Sequence, residues 1–340
     1  MEKLQPVDRI TPRLVSIALS RFWRALGFGI SKHFLRPIQD LITPREVARY
    51  LFKKTFPFWQ ALGFHIVPKH FYEPIPDTTK LKESLWQTQS ELVGIDINEE
   101  VQLRLLSQFV SEYKTEYESL PRERTAIPYQ YYVNNLRYSS VDGEVLYCMI
   151  RHFKPRIIFE AGSGYSTYLS AQTILRNNSV GGREDKLITC DPYPNDTLKA
   201  GVPGLSRLLS RSIEDIPLSE FDSLRENDIL FIDSSHVLRI GSDVQREYLE
   251  ILPRLNKGVI VHIHDIFFPA EYPRYWVMNY YRFWNEQYLL QAFLTFNRSF
   301  EVLWAGSYMH LRHPDQLELA FSSYNRKLNW PSSFWIRRID

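Results

Sequence analysis

The segment RIIFEAGSGYS, residues 156–166, holds the residues whose types and spacing are most indicative of chemistry. A β-branched apolar run ends in Glu160, and small residues then lead to hydroxyl side chains at the start of a predicted helix. A strand that enters a tight glycine turn lets a ligand lie against bare backbone, with a helix N-terminus beside it. The segment therefore predicts a ligand-binding turn.

Glu160 indicates which ligand this turn would hold. A carboxylate repels a pyrophosphate and attracts an ammonium group. The turn GSGYST also lacks the third glycine of the dinucleotide fingerprint G-x-G-x-x-G. The sequence therefore favours a cationic amino-acid nucleotide, S-adenosylmethionine, over a dinucleotide.

The remaining cofactor contacts follow from the same geometry. Gly162 and Gly164 are expected to let the backbone approach the methionine portion of the cofactor. Ser163 and Ser166 are expected to supply hydroxyls, and Ser166 also to cap the helix.

The ribose and adenine contacts are expected on the next two strands. Asp191 ends the second predicted strand, where a carboxylate accepts hydrogen bonds from both ribose hydroxyls. The same acid would serve NAD, so Asp191 alone does not discriminate between the two cofactors. Ser212 and Ile213 follow the third strand and would meet the adenine edge with polar and apolar contacts.

Acids recur at the ends of the predicted strands: Glu160, Asp191, Asp233 and Asp265. In doubly wound sheets, ligands bind beyond the carboxyl ends of the strands. Any one acid is explained as a helix cap or a solvated loop residue. Several carboxylates on one rim are costly unless a ligand or metal compensates them, so together they predict a functional edge.

Histidines accompany the last two of these acids. His236 follows the fourth strand in DSSH, and His262 and His264 alternate along the fifth in HIHD, which puts them on the same face. A histidine that titrates near neutrality can take a hydroxyl proton. His264 beside Asp265 is the first candidate for a general base and His236 the second, whereas His262 is expected to be a core residue.

The elements that must position these residues alternate between strands and helices from residue 142 onward. Strands are predicted over 156–161, 186–191, 206–211, 228–233, 258–265, 300–306 and 332–338. Helices are predicted over 142–153, capped by Asp142, and over 166–175, 241–252 and 285–296. This order predicts an α/β fold with a doubly wound, mostly parallel seven-stranded sheet.

Residues 1–130 are predicted to form a helical N-terminal extension of a main domain spanning residues 131–340. One helix is expected over 95–118. Basic and aromatic residues interleave between residues 12 and 64. The favoured interpretation is a helical subdomain that packs on the main domain or on a second subunit, so a homo-oligomer stays open. The alternative is a peripheral contact with a membrane surface, which the same pattern can indicate.

Composition narrows the classes of partner. The 340 residues are 44% hydrophobic and carry a net charge of +2, so nucleic acid is not an expected partner. Cys148 and Cys190 lie in predicted apolar elements and are expected to be buried free thiols of a reducing compartment. No signal-peptide pattern is found, and a cytoplasmic or membrane-peripheral protein is expected.

The segments FEAGSGYST, TCDPYP, DILFIDSSH, GSDVQREYLEILPRLNKGVIVHIHDIF and NEQYLLQAF resemble the class I S-adenosylmethionine-dependent methyltransferases. The similarity spans roughly residues 130–340 and is greatest to relatives of sugar and secondary-metabolite O-methyltransferases. It implies a Rossmann-like methyltransferase fold and methyl transfer to a hydroxyl of a sugar or glycosylated metabolite. Glu160 and the glycines would hold the methionine end, Asp191 the ribose, and Ser212 and Ile213 the adenine, with Asp233 also near the cofactor.

The same resemblance raises the question of a metal ion. Catechol-type and macrolide-sugar methyltransferases hold magnesium between acids after the fourth and fifth strands, and Asp233 and Asp265 match these places in part. His264 stands where a carboxylate is usual, and Ile266 offers no oxygen, which weakens the case for magnesium and leaves manganese or zinc. Metal-assisted and metal-free base catalysis both stay open.

The loop FFPAEYPRYWVMNYYRFWNEQ after the fifth strand is expected to cover the acceptor, because aromatic faces stack on sugars and rings. Two other classes of function remain as alternatives. One is a dinucleotide-dependent oxidoreductase on a similar sheet. The other is a non-catalytic binding module that keeps the fold.

Overall fold

The computed structural model describes residues 44–182 and 184–340. Its packing divides the chain into two compact units, Met1–Leu81 and Lys82–Asp340. In the first unit, helix α1 (Pro44–Ala61) precedes irregular chain with one 3₁₀ turn, Thr78–Lys80. Most of the basic and aromatic segment 45–64 is thus helical, whereas residues 12–35 lie outside the described part of the chain.

The second unit contains one seven-stranded sheet in the order β3-β2-β1-β4-β5-β7-β6. The first five strands are parallel, and β7 runs antiparallel to both of its neighbours. The doubly wound, mostly parallel seven-stranded sheet expected from the sequence is therefore confirmed. The strands are β1 (Ile157–Ala161), β2 (Lys186–Cys190), β3 (Arg207–Leu209), β4 (Ile229–Ile232), β5 (Ile260–Ile263), β6 (Phe300–Ala305) and β7 (Phe334–Arg338).

The central strands form because their residues are apolar on both faces and helices cover both sides of the sheet. Every residue of β4 and β5 is buried. Neighbouring residues belong to different apolar clusters, Ile158 to one and Phe159 to the other, because successive side chains of a strand point to opposite faces. Packing of the two clusters on the two faces of the sheet fixes the position of the edge that carries the acids.

The helices of the second unit are α2 (Glu99–Tyr117), α3 (Asp142–Phe153), α4 (Tyr165–Gly181), α5 (Asp196–Lys199), α6 (Leu218–Asp222), α7 (Asp243–Arg246), α8 (Arg274–Met278), α9 (Glu286–Leu294), α10 (Gly306–Arg312) and α11 (Pro314–Ala320). Helix α2 confirms the expected helix over 95–118 and buries Phe109 and Tyr117 in the cluster that also contains β1 residues. The expected boundary after residue 130 therefore lies within the second unit, and the assignment of residues 1–130 to an extension stays a prediction.

Two local expectations were wrong. The helix expected over 166–175 is longer in the structure, because α4 continues to Gly181, and its C-cap Gly182 has a φ of +63°. Tertiary hydrogen bonds stabilise the extra turn, because Asn177 accepts from Arg151 and donates to the Ile150 carbonyl at 3.0 Å. In addition, the N-cap of α3 is Val141 rather than Asp142.

The helix expected over 241–252 is irregular. Helix α7 is followed by a π-helical turn, Glu247–Ile251, and then by a 3₁₀ turn, Leu252–Arg254. The π turn buries Glu247 and Tyr248, whose neighbours in sequence, Leu249 and Glu250, are exposed. π turns occur often at functional sites, and this one places a buried acid behind the carboxyl end of β4.

Candidate active site

Three of the four acids follow strands in the centre of the sheet, where β2 and β4 flank β1, and β5 lies next to β4. Asp191, Asp233 and Asp265 come directly after β2, after β4 and shortly after β5. Backbone hydrogen bonds join the strand ends, since the Asp233 N–H donates to the Ala161 carbonyl at 2.9 Å and the His264 N–H to the Ile232 carbonyl at 3.0 Å. The acids therefore share the carboxyl edge of the sheet, as expected. Glu160 differs, because it lies inside β1.

The glycine turn joins β1 to α4 as expected. Gly162 has a φ of +91°, and a Cβ there would lie 2.1 Å from the backbone oxygen of Asp233, so only glycine fits between the ends of β1 and β4. A Cβ on Gly164 would meet nothing within 4 Å. The backbone at Gly164 thus borders open space in front of the N-terminus of α4, which fits a ligand that lies against the turn.

Glu160 lies beneath this turn rather than at its mouth. Its two oxygens accept hydrogen bonds from the hydroxyls of Ser166 and Thr189, each at 2.7 Å, and only 1% of the residue is exposed. Burial raises the pKa of Glu160 to about 7, although the two hydroxyls act in the opposite direction. Ser166 is itself buried by this contact, so Glu160 and Ser166 support the turn from within.

Asp191 lies at the same edge and is half-buried. Its Oδ1 accepts from the Tyr193 backbone N–H at 2.6 Å, and its Oδ2 accepts from the Ser163 hydroxyl. The chain thus orients Asp191 and Ser163 together beside the glycine turn. At the expected adenine position, Ser212 is half-buried, but the Ile213 side chain packs in an apolar cluster and is 4% exposed.

His236 connects the ends of β4 and β5. Its Nε2 lies 3.3 Å from Oδ1 of Asp233 and 3.7 Å from Oδ2 of Asp265, and its Nδ1 lies 2.8 Å from Oε2 of Glu286. Glu286 is fully buried at the start of α9, whereas the Asp233 side chain remains 32% exposed. The His236 imidazole therefore contacts the buried Glu286 through Nδ1. Its Nε2 faces the carboxylates of Asp233 and Asp265 at the carboxyl edge of the sheet, here called the rim.

These contacts shift the titration of the groups. Burial lowers the pKa of His236, but the hydrogen bonds to Asp233 and Glu286 outweigh it, so the pKa lies well above the usual histidine range. Burial raises the pKa of Asp233, but the His264 charge and the His236 hydrogen bond outweigh it and hold the pKa at about 2. Strongly perturbed groups that converge on one rim are typical of functional sites.

His264 and His262 lie on the same face of β5, as expected, with their rings stacked 5.6 Å apart. The Nε2 of His264 is 3.6 Å from Oδ1 of Asp265. His262 is stacked on Phe231 at 3.9 Å, and burial lowers its pKa well below the usual range. His264 thus borders the rim, whereas His262 is a neutral core residue.

The expected metal position does not fit the structure. Across residues 44–182 and 184–340, no group of three or more His, Cys, Asp and Glu side chains is arranged to hold a metal ion. The Nε2 of His236 occupies the space between Asp233 and Asp265, where the ion was expected. The proposed ligand set of Asp233, Asp265 and His264 is therefore not supported, and we derive no step through a metal.

A row of aromatic rings packs beside His236. Trp284 contacts the His236 ring at a centroid distance of 4.3 Å, Trp276 contacts Trp284 at 5.1 Å, and Phe267 contacts Trp276 at 5.2 Å. The guanidinium of Arg282 lies 4.9 Å from both tryptophan rings. The loop expected to cover the acceptor thus lies beside His236.

Glu286 and Glu247 were missed by the sequence reasoning. Both are fully buried, and Glu247 accepts a hydrogen bond from the Ser234 hydroxyl at 3.0 Å. The signal that could have identified them is the position of an acid on the apolar face of a predicted helix. Each lies on a helix that follows a strand end carrying one of the proposed site residues.

Three comparisons with known proteins bear on this geometry. Residues 159–266 match a family described as a methyltransferase domain. An uncharacterized protein of Archaeoglobus fulgidus is 29% identical over 169 residues, which cover 48% of this chain and 75% of that protein. The crystal structure of the plantazolicin methyltransferase BamL, in complex with a triazolic desmethylPZN analog and SAH, has 13% identity and a TM-score of 0.39, covering 72% of this chain and 100% of that one.

Proposed function

We propose that this chain, whose residues 159–266 match a methyltransferase domain, is an S-adenosylmethionine-dependent methyltransferase that transfers a methyl group to a hydroxyl oxygen of a sugar or glycosylated metabolite. The observation that carries the proposal is His236, which Glu286 holds from behind and which faces Asp233 and Asp265 on the rim. A positioned base is what oxygen methylation requires, because a hydroxyl must lose its proton as it attacks.

The cofactor is assigned to the open side of the glycine turn. The backbone at Gly164 borders free space, and Asp191 and Ser163 present oxygens next to it. S-Adenosylmethionine, when bound, supplies an electrophilic methyl group on a sulfonium. The residues of this chain would hold its methionine portion along the turn and its ribose at Asp191.

His236 is a better candidate for the base than His264. His236 is an imidazolium at rest, so it must first release its Nε2 proton at the accessible edge of the sheet. In the neutral tautomer that remains, Glu286 fixes the proton on Nδ1 at 2.8 Å, and Nε2 can then accept the acceptor's hydroxyl proton. As the C–S bond breaks and the C–O bond forms, this proton moves to Nε2, and the resulting imidazolium is stabilised by Glu286. His264 has no comparable buried acid at its Nδ1 within the described chain.

The acceptor class is proposed from the surroundings of His236. Trp284 and Trp276 offer half-buried ring faces next to the base, and such faces stack on sugar rings. Asp233 and Asp265 offer carboxylate oxygens that accept hydrogen bonds from neighbouring hydroxyls. A ring with several hydroxyls fits both features.

The test combines binding with turnover. Calorimetric titration should show S-adenosylmethionine binding that Asp191→Ala weakens by at least tenfold, about 1.4 kcal/mol. Transfer of labelled methyl to a panel of mono- and oligosaccharides and glycosides should fall at least 100-fold in His236→Gln, with cofactor affinity unchanged.

His264→Gln is the matched control, since it alters a neighbouring histidine outside the contact with Glu286. We expect it to lower turnover less than His236→Gln does. No cofactor binding in the wild type would refute the proposed function. Equal losses in both variants would refute the assignment of His236.

A further inference from the structure

Two fully buried acids, Glu247 and Glu286, lie behind His236 on different helical segments. Oε2 of Glu286 contacts His236, and Oε2 of Glu247 accepts from the Ser234 hydroxyl. The Oε1 atom of each makes no hydrogen bond to any group in the described parts of the chain. Two buried oxygens therefore lack a donor.

Two carboxylates that are fully buried in the same part of the molecule cannot both be ionised without a large cost, because little solvent screens their charges. The charged and titratable groups around the pair are His236, Asp243, Tyr248, Tyr272 and Cys190. Of these, only His236 carries a positive charge. This imidazolium also faces Asp233 and Asp265, so it cannot compensate the charges of both buried carboxylates.

We propose that the two buried acids differ in protonation: Glu247 keeps a proton, and Glu286 is the ionised positioning residue of His236. The proton on Glu247 turns one of its oxygens into a donor, and the buried Tyr248 hydroxyl is a second donor near Glu286. The two acids then carry one negative charge, on the carboxylate that contacts the imidazolium.

The contacts decide which acid is neutral. Oε2 of Glu286 lies 2.8 Å from Nδ1 of the His236 imidazole, whereas Glu247 receives only one hydrogen bond, from a neutral hydroxyl. Burial, followed by the charges of Glu286 and Asp243, raises the pKa of Glu247 well above its usual range. Only the role of His236 as a base rests on the proposed function; the protonation of the pair does not.

The experiment measures protonation directly in the full chain without acceptor. Infrared spectra at pH 8 should contain a carboxylic acid C=O band that disappears in Glu247→Gln. Nitrogen-15 NMR of labelled histidines should show the pKa of His236 falling by more than about one unit in Glu286→Gln and by less than half of that shift in Glu247→Gln. Glutamine reproduces the neutral acid, so the amide should leave the imidazole unchanged.

Glu250→Gln is the matched control, since this exposed acid of the same π turn should change neither signal. Glu247→Met, of similar volume, repeats the infrared test if the amide prevents folding. A band that persists in both Glu247 variants would overturn the inference. So would a fall in the His236 pKa as large in Glu247→Gln as in Glu286→Gln. Neither result depends on methyl transfer, so the inference can fail while the proposed function stands.

Discussion

Burial changes the role that the sequence predicts for Glu160. From the sequence, its charge was expected to select a sulfonium-bearing amino acid. In the fold, both of its oxygens are used by Ser166 and Thr189, and its pKa is raised to about 7 by burial. The space at Gly164 and the exposed part of Asp191 are therefore better placed than Glu160 to contact a cofactor.

The raised pKa of Glu160 predicts how stability depends on pH. Between the usual value of 4.5 and about 7, the folded chain keeps a proton on Glu160 that the unfolded chain has lost. This contribution to the free energy of unfolding, about 3 kcal/mol, is therefore present at pH 4 and is lost as the pH rises to 7. Urea unfolding of the wild type and Glu160→Gln at pH 4.5 and 7.5 measures it.

The glutamine variant cannot ionise, so the wild type should lose more stability than Glu160→Gln over this interval. Asp191→Asn serves as a control on a half-buried acid of the same edge. Parallel pH profiles for the wild type and Glu160→Gln would contradict the prediction.

His236 also leads to a prediction about metal removal. Because its Nε2 lies between Asp233 and Asp265, an imidazolium supplies the positive charge at this place on the rim. Treatment with EDTA followed by dialysis should leave the methyl-transfer rate within about twofold of the untreated protein. A loss of activity that added manganese or magnesium restores would show that His236 moves aside for an ion.

Site residues were predictable from the sequence where they directly follow an apolar strand. Asp191, Asp233 and Asp265 follow apolar strands, and the structure places them on one edge. Glu286 was not predictable, because its role depends on an approach to His236 across 50 residues. Tertiary contacts of this kind leave no local periodicity in the sequence.

At the scale of elements, the junction between β1 and α4 leads to a steric prediction. In Gly162→Ala, the added Cβ would meet the Asp233 backbone oxygen at 2.1 Å in addition to the positive φ, so the free energy of unfolding should fall by more than about 2 kcal/mol. Gly182→Ala shares the positive φ but meets nothing within 4 Å, and should lose only about 1 kcal/mol. Chemical denaturation of both variants measures the difference.

Gly164→Ala separates binding from folding at the same turn. A Cβ there projects into open space, so stability should change little while affinity for S-adenosylmethionine falls.

Equal losses of stability in Gly162→Ala and Gly182→Ala would mean that the ends of β1 and β4 are not held together as described.

The elements themselves were predicted to different degrees. Strands β1, β4 and β5 were found from the sequence because buried parallel strands are continuous apolar runs. Helices α10 and α11 were missed, since seven residues are too few to show a helical period. The π turn after α7 was also missed, because it depends on packing around Glu247 and Tyr248.

At the scale of the whole molecule, the candidate site lies in one compact unit. Both apolar clusters are built from residues of the unit Lys82–Asp340. A chain that begins at Lys82 should therefore fold and bind S-adenosylmethionine within about threefold of the full chain. Calorimetric titration of both proteins makes the comparison, and circular dichroism checks their folding. A folded but non-binding short chain would assign a cofactor contact to residues 1–81.

The membrane contact considered for residues 12–64 stays a prediction at this scale. Within the described ranges, no helix is long and apolar enough to cross a bilayer. Phe64, Phe71 and Tyr72 of the first unit are exposed.

Strand β7 lies between β5 and β6, and the chain reaches it last. Just before it, the backbone N–H groups of Ser332 and Ser333 donate to Asp142, and the Ser332 hydroxyl donates to Asp265, each at 3.0 Å. During synthesis, one edge of β5 therefore stays unpaired until residue 338 has left the ribosome. A nascent chain stalled before Ser332 would already contain every proposed catalytic side chain, yet would still lack the support that orients Asp265.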